Sequence, residues 1–186
     1  LVLTRAAAEA GDRALASRVR RASDRALRVA GSLLVPAFGA ILARQLVEFR
    51  DPFVPLTEDL ALLMGTDWGA AWRWASGAAV LATLALLAAG GTRVGRWIGG
   101  LALVITGIYP AFTGHAAALE PRSVSIALDV AHVWAASAWI GGLGLLVAAL
   151  GTADTDPVAS GGGDPGEAAR ILVRAFSPVA LVSVAL

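Results

Sequence analysis

VAHVWAASAWIGGLGLLVAALGTA, residues 130–153, runs for 24 residues without an Asp, Glu, Lys or Arg. A helix needs about 20 predominantly apolar residues to cross the hydrocarbon of a bilayer, so this stretch alone predicts a transmembrane helix. Working outward, uncharged runs recur at 97–119, 74–92 and 29–43. The last is shortened by Arg28 and Arg44, whose aliphatic stems lie along apolar surface while the guanidinium reaches water. A further uncharged run opens at Ala175 and continues for 12 residues to Leu186. The sequence therefore predicts an all-α fold, a polytopic transmembrane helical bundle of about five spans.

Composition agrees. Apolar residues make up 57% of the chain, charged residues 16%, and mean hydropathy is +0.70, whereas roughly a quarter of residues are charged in a soluble domain. No segment outside the spans is large enough to form a pocket for a soluble substrate, so the chain is not expected to be an enzyme. The absence of cysteine excludes disulfides, thiolate metal sites and cysteine nucleophiles. All 15 basic residues are arginine, which with the abundant alanine points to a GC-rich, bacterial coding sequence. The chain opens on Leu1 with no signal-peptide pattern, and it reads as a piece of a longer protein.

Arginine placement sets the expected orientation, because short cytoplasmic segments are enriched in Lys and Arg. The first 28 residues hold seven arginines interleaved with Ala14, Leu15, Val19, Ala22, Ala26 and Leu27, the pattern of an amphipathic helix. They are read as a cytoplasmic connector, 1–28, ahead of a membrane bundle, 29–186. Membrane lipid is the expected partner, and nucleic acid is not, since aromatic residues are missing from the basic stretch. The acid-rich segment 48–73 reads as external, with a short interfacial helix and Trp68, Trp72 and Trp74 at headgroup level. Arg93 and Arg96 mark an inside turn, 120–122 an outside turn, and 151–170 a flexible inside loop rich in Gly, Asp and Pro. Pro36 and Pro110 fall within spans and are expected to bend them.

Chemistry concentrates on three residues. His115 and His132 are the two histidines of the chain, and both fall in uncharged runs; Asp129 lies one turn before His132. Ionisable side chains at bilayer depth are costly and usually handle ions, protons or a cofactor. Ser125, Asp129, His132, Ala136 and Trp139 share one helical face, which is expected to face protein. His132 would lie about 13 Å along its span and His115 about 6 Å from the same surface on the preceding helix. That difference in depth, about 7–9 Å, is too large for two rigidly placed imidazoles to bind one ion at about 2 Å each. Neutral imidazole suits copper, zinc and iron, and Asp129 is expected to orient the ring through its second nitrogen. Three readings stay open on residues alone: metal or cofactor ligation, proton handling, and polar contacts that only join helices. Met64 is the single methionine, so a thioether conduit for Cu(I) has no ligands within this segment.

Four stretches, MGTDWGAAWRW at 64–74, FTGHAAAL at 112–119, DVAHVWAASAWIGGL at 129–143 and RAFSPVALVSVAL at 174–186, together resemble the copper resistance protein D (CopD) family. The resemblance covers most of the chain from about Ser32, and the run with His132, Trp139, Gly141 and Gly142 is its most specific part. It implies a multi-pass protein of the bacterial inner membrane that takes copper into the cell in copper homeostasis and resistance. It also implies a periplasmic copper-binding partner of the CopC type. The family's histidines carry over only to His115 and His132, as candidate copper ligands. The rival readings are a redox protein holding haem on those histidines, and a non-transporting membrane assembly subunit.

Overall fold

In the computed structural model, residues 2–88, 91–151 and 165–185 are described, the side chains of His115, Ala116 and Pro165 excepted. The described residues form helices and no strand. They run as α1 (Val2–Glu9), α2 (Arg13–Phe49), α3 (Leu56–Met64), α4 (Asp67–Ala88), α5 (Arg93–Thr106), α6 (Tyr109–Thr113), α7 (Arg122–Gly151) and α8 (Pro165–Ala185). A 3-10 turn, His115–Ala118, separates α6 from α7. Five segments are long and apolar enough to cross a membrane: α2, α4, the combined 93–113, α7 and α8. The all-α bundle predicted from the sequence is the fold, and it is that of a multi-pass membrane protein in contact with lipid.

Helix boundaries follow from caps rather than from the ends of the uncharged runs. Asp12 accepts the Leu15 amide at 2.8 Å and starts α2 after a turn at Gly11, whose φ of 76° suits glycine. The Thr66 hydroxyl accepts the Gly69 amide at 3.1 Å and starts α4 well before the uncharged run. The Thr92 hydroxyl accepts the Gly95 amide at 2.9 Å and starts α5. Charged Asp67 and Arg73 thus fall inside α4, at the end where water and headgroups lie.

The chain divides into two compact units, 27–130 and the combination of 1–26 with 131–186. In the first unit, Ala71, Ala75, Ala79, Ala82 and Leu86 form the buried stripe of α4, at spacings of three and four. Small side chains let helix backbones approach closely, which drives association where lipid gives no hydrophobic force between helices. The Thr83 hydroxyl donates to the Gly31 carbonyl of α2 at 2.7 Å, and the Trp72 indole N–H donates to the Phe38 carbonyl at 3.1 Å. Phe38 meets Tyr109 edge-on with ring centroids 5.3 Å apart. Outward positions of α4 carry Val80, Leu81, Leu84 and Leu87, the lipid-facing complement.

In the second unit, Leu3 and Ala7 of α1 and Leu15, Ala16 and Val19 of α2 share a core with Leu146 and Ala149 of α7 and Ala168, Leu172 and Phe176 of α8. The arginine-rich opening stretch, expected as a connector, is therefore two helices packed on the ends of α7 and α8, and α2 continues unbroken through Pro36 into the first span. The loop expected over 151–170 is shorter: Gly151 still belongs to α7, and α8 begins at Pro165. The rest of that loop lies outside the described residues.

Candidate functional site

Asp129 and His132 sit in the interior of α7, seven and ten residues after Arg122, or about 10 Å and 15 Å along its axis. Asp129 is half-buried and His132 is exposed. Of the face predicted to be covered by protein, Ser125, Asp129 and Ala136 are half-buried, while His132 and Trp139 are exposed. Ala135, Leu146 and Ala149 are the buried residues of α7, and Gly142 packs against the Phe176 ring of α8. His132 and Trp139 continue that stripe at i, i+3, i+4 spacing, yet both are exposed.

His115 stands elsewhere than the sequence places it. The third span breaks at Gly107 and Ile108: the Gly107 amide bonds the Leu103 carbonyl at 2.9 Å, the Ile108 amide bonds the Ile105 carbonyl at 3.1 Å, and Pro110 occupies the first turn of the short helix α6. The bend predicted at Pro110 is thus a full interruption, prepared by the glycine three residues earlier. α6 ends at Thr113, so His115 opens the 3-10 turn beyond the span rather than riding on a continuous helix. Its imidazole lies outside the described residues.

Among the described residues, neither Asp129 nor His132 has a hydrogen-bond partner, and no three His, Cys, Asp or Glu side chains gather as a metal site. What remains is a carboxylate and an imidazole one turn apart on one helix, an arrangement that can supply two ligands, or one ligand and its orienting acceptor, to an ion completed by other groups.

Asp59 was not singled out by its sequence context, yet among the described residues it is the most deeply buried acid, at 1% exposure. Arg50 NH1 donates to its carboxylate and, at 2.8 Å, to the Val54 carbonyl, closing the connection between α2 and α3. Arg73 donates to the Met64 carbonyl at the C-terminus of α3. The signal that could have found the pair is Pro55 before an acid-bearing first turn, with one arginine close upstream. The tryptophans assigned to the interfacial helix belong instead to the first turns of α4, and only α3 matches that helix.

No family model, curated protein or solved structure matches the chain.

Proposed function

We propose that this chain carries copper ions across a bacterial inner membrane toward the cytoplasm, with His132 and His115 as ligands along the way and Asp129 as the acceptor that orients an imidazole. The observation that supports this most is the placement of an acid and an imidazole one turn apart in the interior of α7. A carboxylate at that depth costs about 3 kcal/mol by insertion scales, a cost that a bound cation offsets directly. Copper is the cargo, and imidazole is a borderline ligand that accepts it in either common oxidation state. Because His132 is exposed, the ion's remaining ligands are water or groups beyond the described residues. A periplasmic protein of the CopC type would deliver the ion to the outer side, near the turn that begins at His115. The arginine-rich α1 and the opening turns of α2, up to Arg28, would face the cytoplasm.

The test is copper accumulation in cells making the intact protein, together with metal and haem analysis of the purified protein. Accumulation should fall several-fold for His132→Ala and for Asp129→Asn, and remain unchanged for Ser137→Ala, which lies on a different face of α7. A strong haem absorption band lost on His132→Ala would replace copper by haem. Unchanged uptake and copper tolerance in a folded His115→Ala, His132→Ala double variant would leave an assembly subunit as the surviving reading.

A further inference from the structure

Beside the turn between α1 and α2 lies an open groove of about 680 Å³ lined by Ala8, Gly11, Arg13, Ala16, Ser17, Arg20 and Arg21. That volume lies within the range of about 300–1,000 Å³ typical of small-ligand sites. Three arginines line it and no Asp or Glu does. Of the nearby acids, Glu9 pairs with Arg5 at 2.7 Å, Asp12 caps α2 through the Leu15 amide, and Asp24, three and four residues after Arg21 and Arg20, is engaged as well. Among the described residues Arg13, Arg20 and Arg21 have no ion-pair or hydrogen-bond partner. The Ser17 hydroxyl donates to the Ala14 carbonyl at 2.8 Å, so recognition falls to the arginines.

Three unpaired guanidiniums around one groove call for a polyoxygen anion, since the planar fork of arginine matches phosphate with two parallel hydrogen bonds. The height of the groove points to the source of that anion. On the other side of the same turns, Leu15 and Val19 pack with Leu146 and Ala149, near the end of α7, and with Ala168 and Leu172, near the start of α8. The arginines therefore stand at the level where two apolar spans end, which is where lipid phosphates lie. We propose that Arg13, Arg20 and Arg21 form a binding site for the phosphate of an anionic lipid headgroup. It holds the α1–α2 turn to the membrane surface, independently of any copper pathway.

The experiment uses the intact protein in detergent, with phosphatidylglycerol, phosphatidylcholine or inorganic phosphate added and bound species counted by native mass spectrometry. The wild type should retain phosphatidylglycerol over phosphatidylcholine. R13Q/R20Q/R21Q should lose on the order of a hundred-fold in that affinity, about five-fold per arginine, while a control of equal charge change, R93Q/R122Q/R174Q, keeps it. Inorganic phosphate bound by the wild type and lost by the triple variant, without preference between the lipids, would overturn the lipid source in favour of free phosphate. Equal retention of phosphatidylglycerol by the triple variant and the control would overturn the site. Should the triple variant not fold, the single variants serve, and losses no larger than those of Arg174→Gln overturn it equally.

Discussion

Gly142→Ala isolates the contact that joins α7 to α8. A Cβ built on Gly142 would lie 2.1 Å from Phe176 Cε2, 2.7 Å from Cζ and 2.9 Å from Cδ2. Carbon atoms sit comfortably at about 3.5 Å or more, so the shortfall is about 1.4 Å. Phe176 is 7% exposed and packed in the same core as Leu172 and Leu146, so its ring cannot swing away without opening a void. Overpacking of this kind costs about 1–3 kcal/mol, and the upper half of that range fits a clash with three ring atoms. Gly141 and Gly144 supply the internal control, because a Cβ there meets nothing within 4 Å. The assay is unfolding of the purified protein in mixed micelles of rising SDS content, followed by circular dichroism. Gly142→Ala should unfold earlier by that margin, whereas Gly141→Ala and Gly144→Ala should shift by less than about 0.5 kcal/mol. Phe176→Leu should recover much of the loss when combined with Gly142→Ala, giving a coupling energy of about 1 kcal/mol or more. A Gly142→Ala protein as stable as wild type, or a Gly141→Ala protein equally damaged, would refute the crossing geometry.

Arg50→Gln should cost about 2 kcal/mol by leaving the buried Asp59 carboxylate unpaired, the figure being held down by the 38% exposure of the arginine side chain; Asp59→Asn in the same chain should restore part of it, as read by thermal unfolding in detergent. Thr83→Val should lose about 0.5–1.5 kcal/mol with the hydrogen bond to Gly31, and a neutral result would show that this hydroxyl does not join α2 to α4. Asp12→Ala should remove about 1 kcal/mol of capping energy, seen as faster amide exchange over the first turn of α2, with no change at Thr92 or its helix. Gly69→Ala should be among the most damaging small changes, because the new Cβ would fall 2.4 Å from the Leu63 carbonyl oxygen and backbone cannot step aside as a side chain can; wild-type stability would contradict that approach.

How far the sequence could be read depended on the scale of the feature. Runs without charge locate spans because burying a charge in hydrocarbon is expensive wherever it occurs, and all five spans were found in this way. Their starts were not, because Thr66 and Asp12 begin helices by capping amides among charged residues that the hydropathy of a run discounts. Pro110 foretold a disturbance in the third span, and Gly107 fixed its place by ending α5 one turn earlier. The three glycines after Ile140 were read together as packing residues, yet only Gly142 meets a neighbour. Periodicity gives the face but not the partner. The same limit applies to the candidate site: spacing put Asp129 and His132 on one stripe, while the half-buried acid and the exposed imidazole differ in cover, which no local pattern encodes. Arg50 and Asp59 find each other across a turn through a loop whose path only the folded chain defines.

The inward stripe of α4 consists, apart from Leu86, of side chains with a single methyl group. Such a surface has almost nothing left to remove, so substitution can change it in one direction only, toward bulk. Positions 71, 75, 79 and 82 should therefore reject every larger residue, while the leucines and valines on the outer side exchange freely among apolar types. In a lineage of such chains, variation would accumulate on the side that looks most hydrophobic, and the plainest residues would be the ones held fixed.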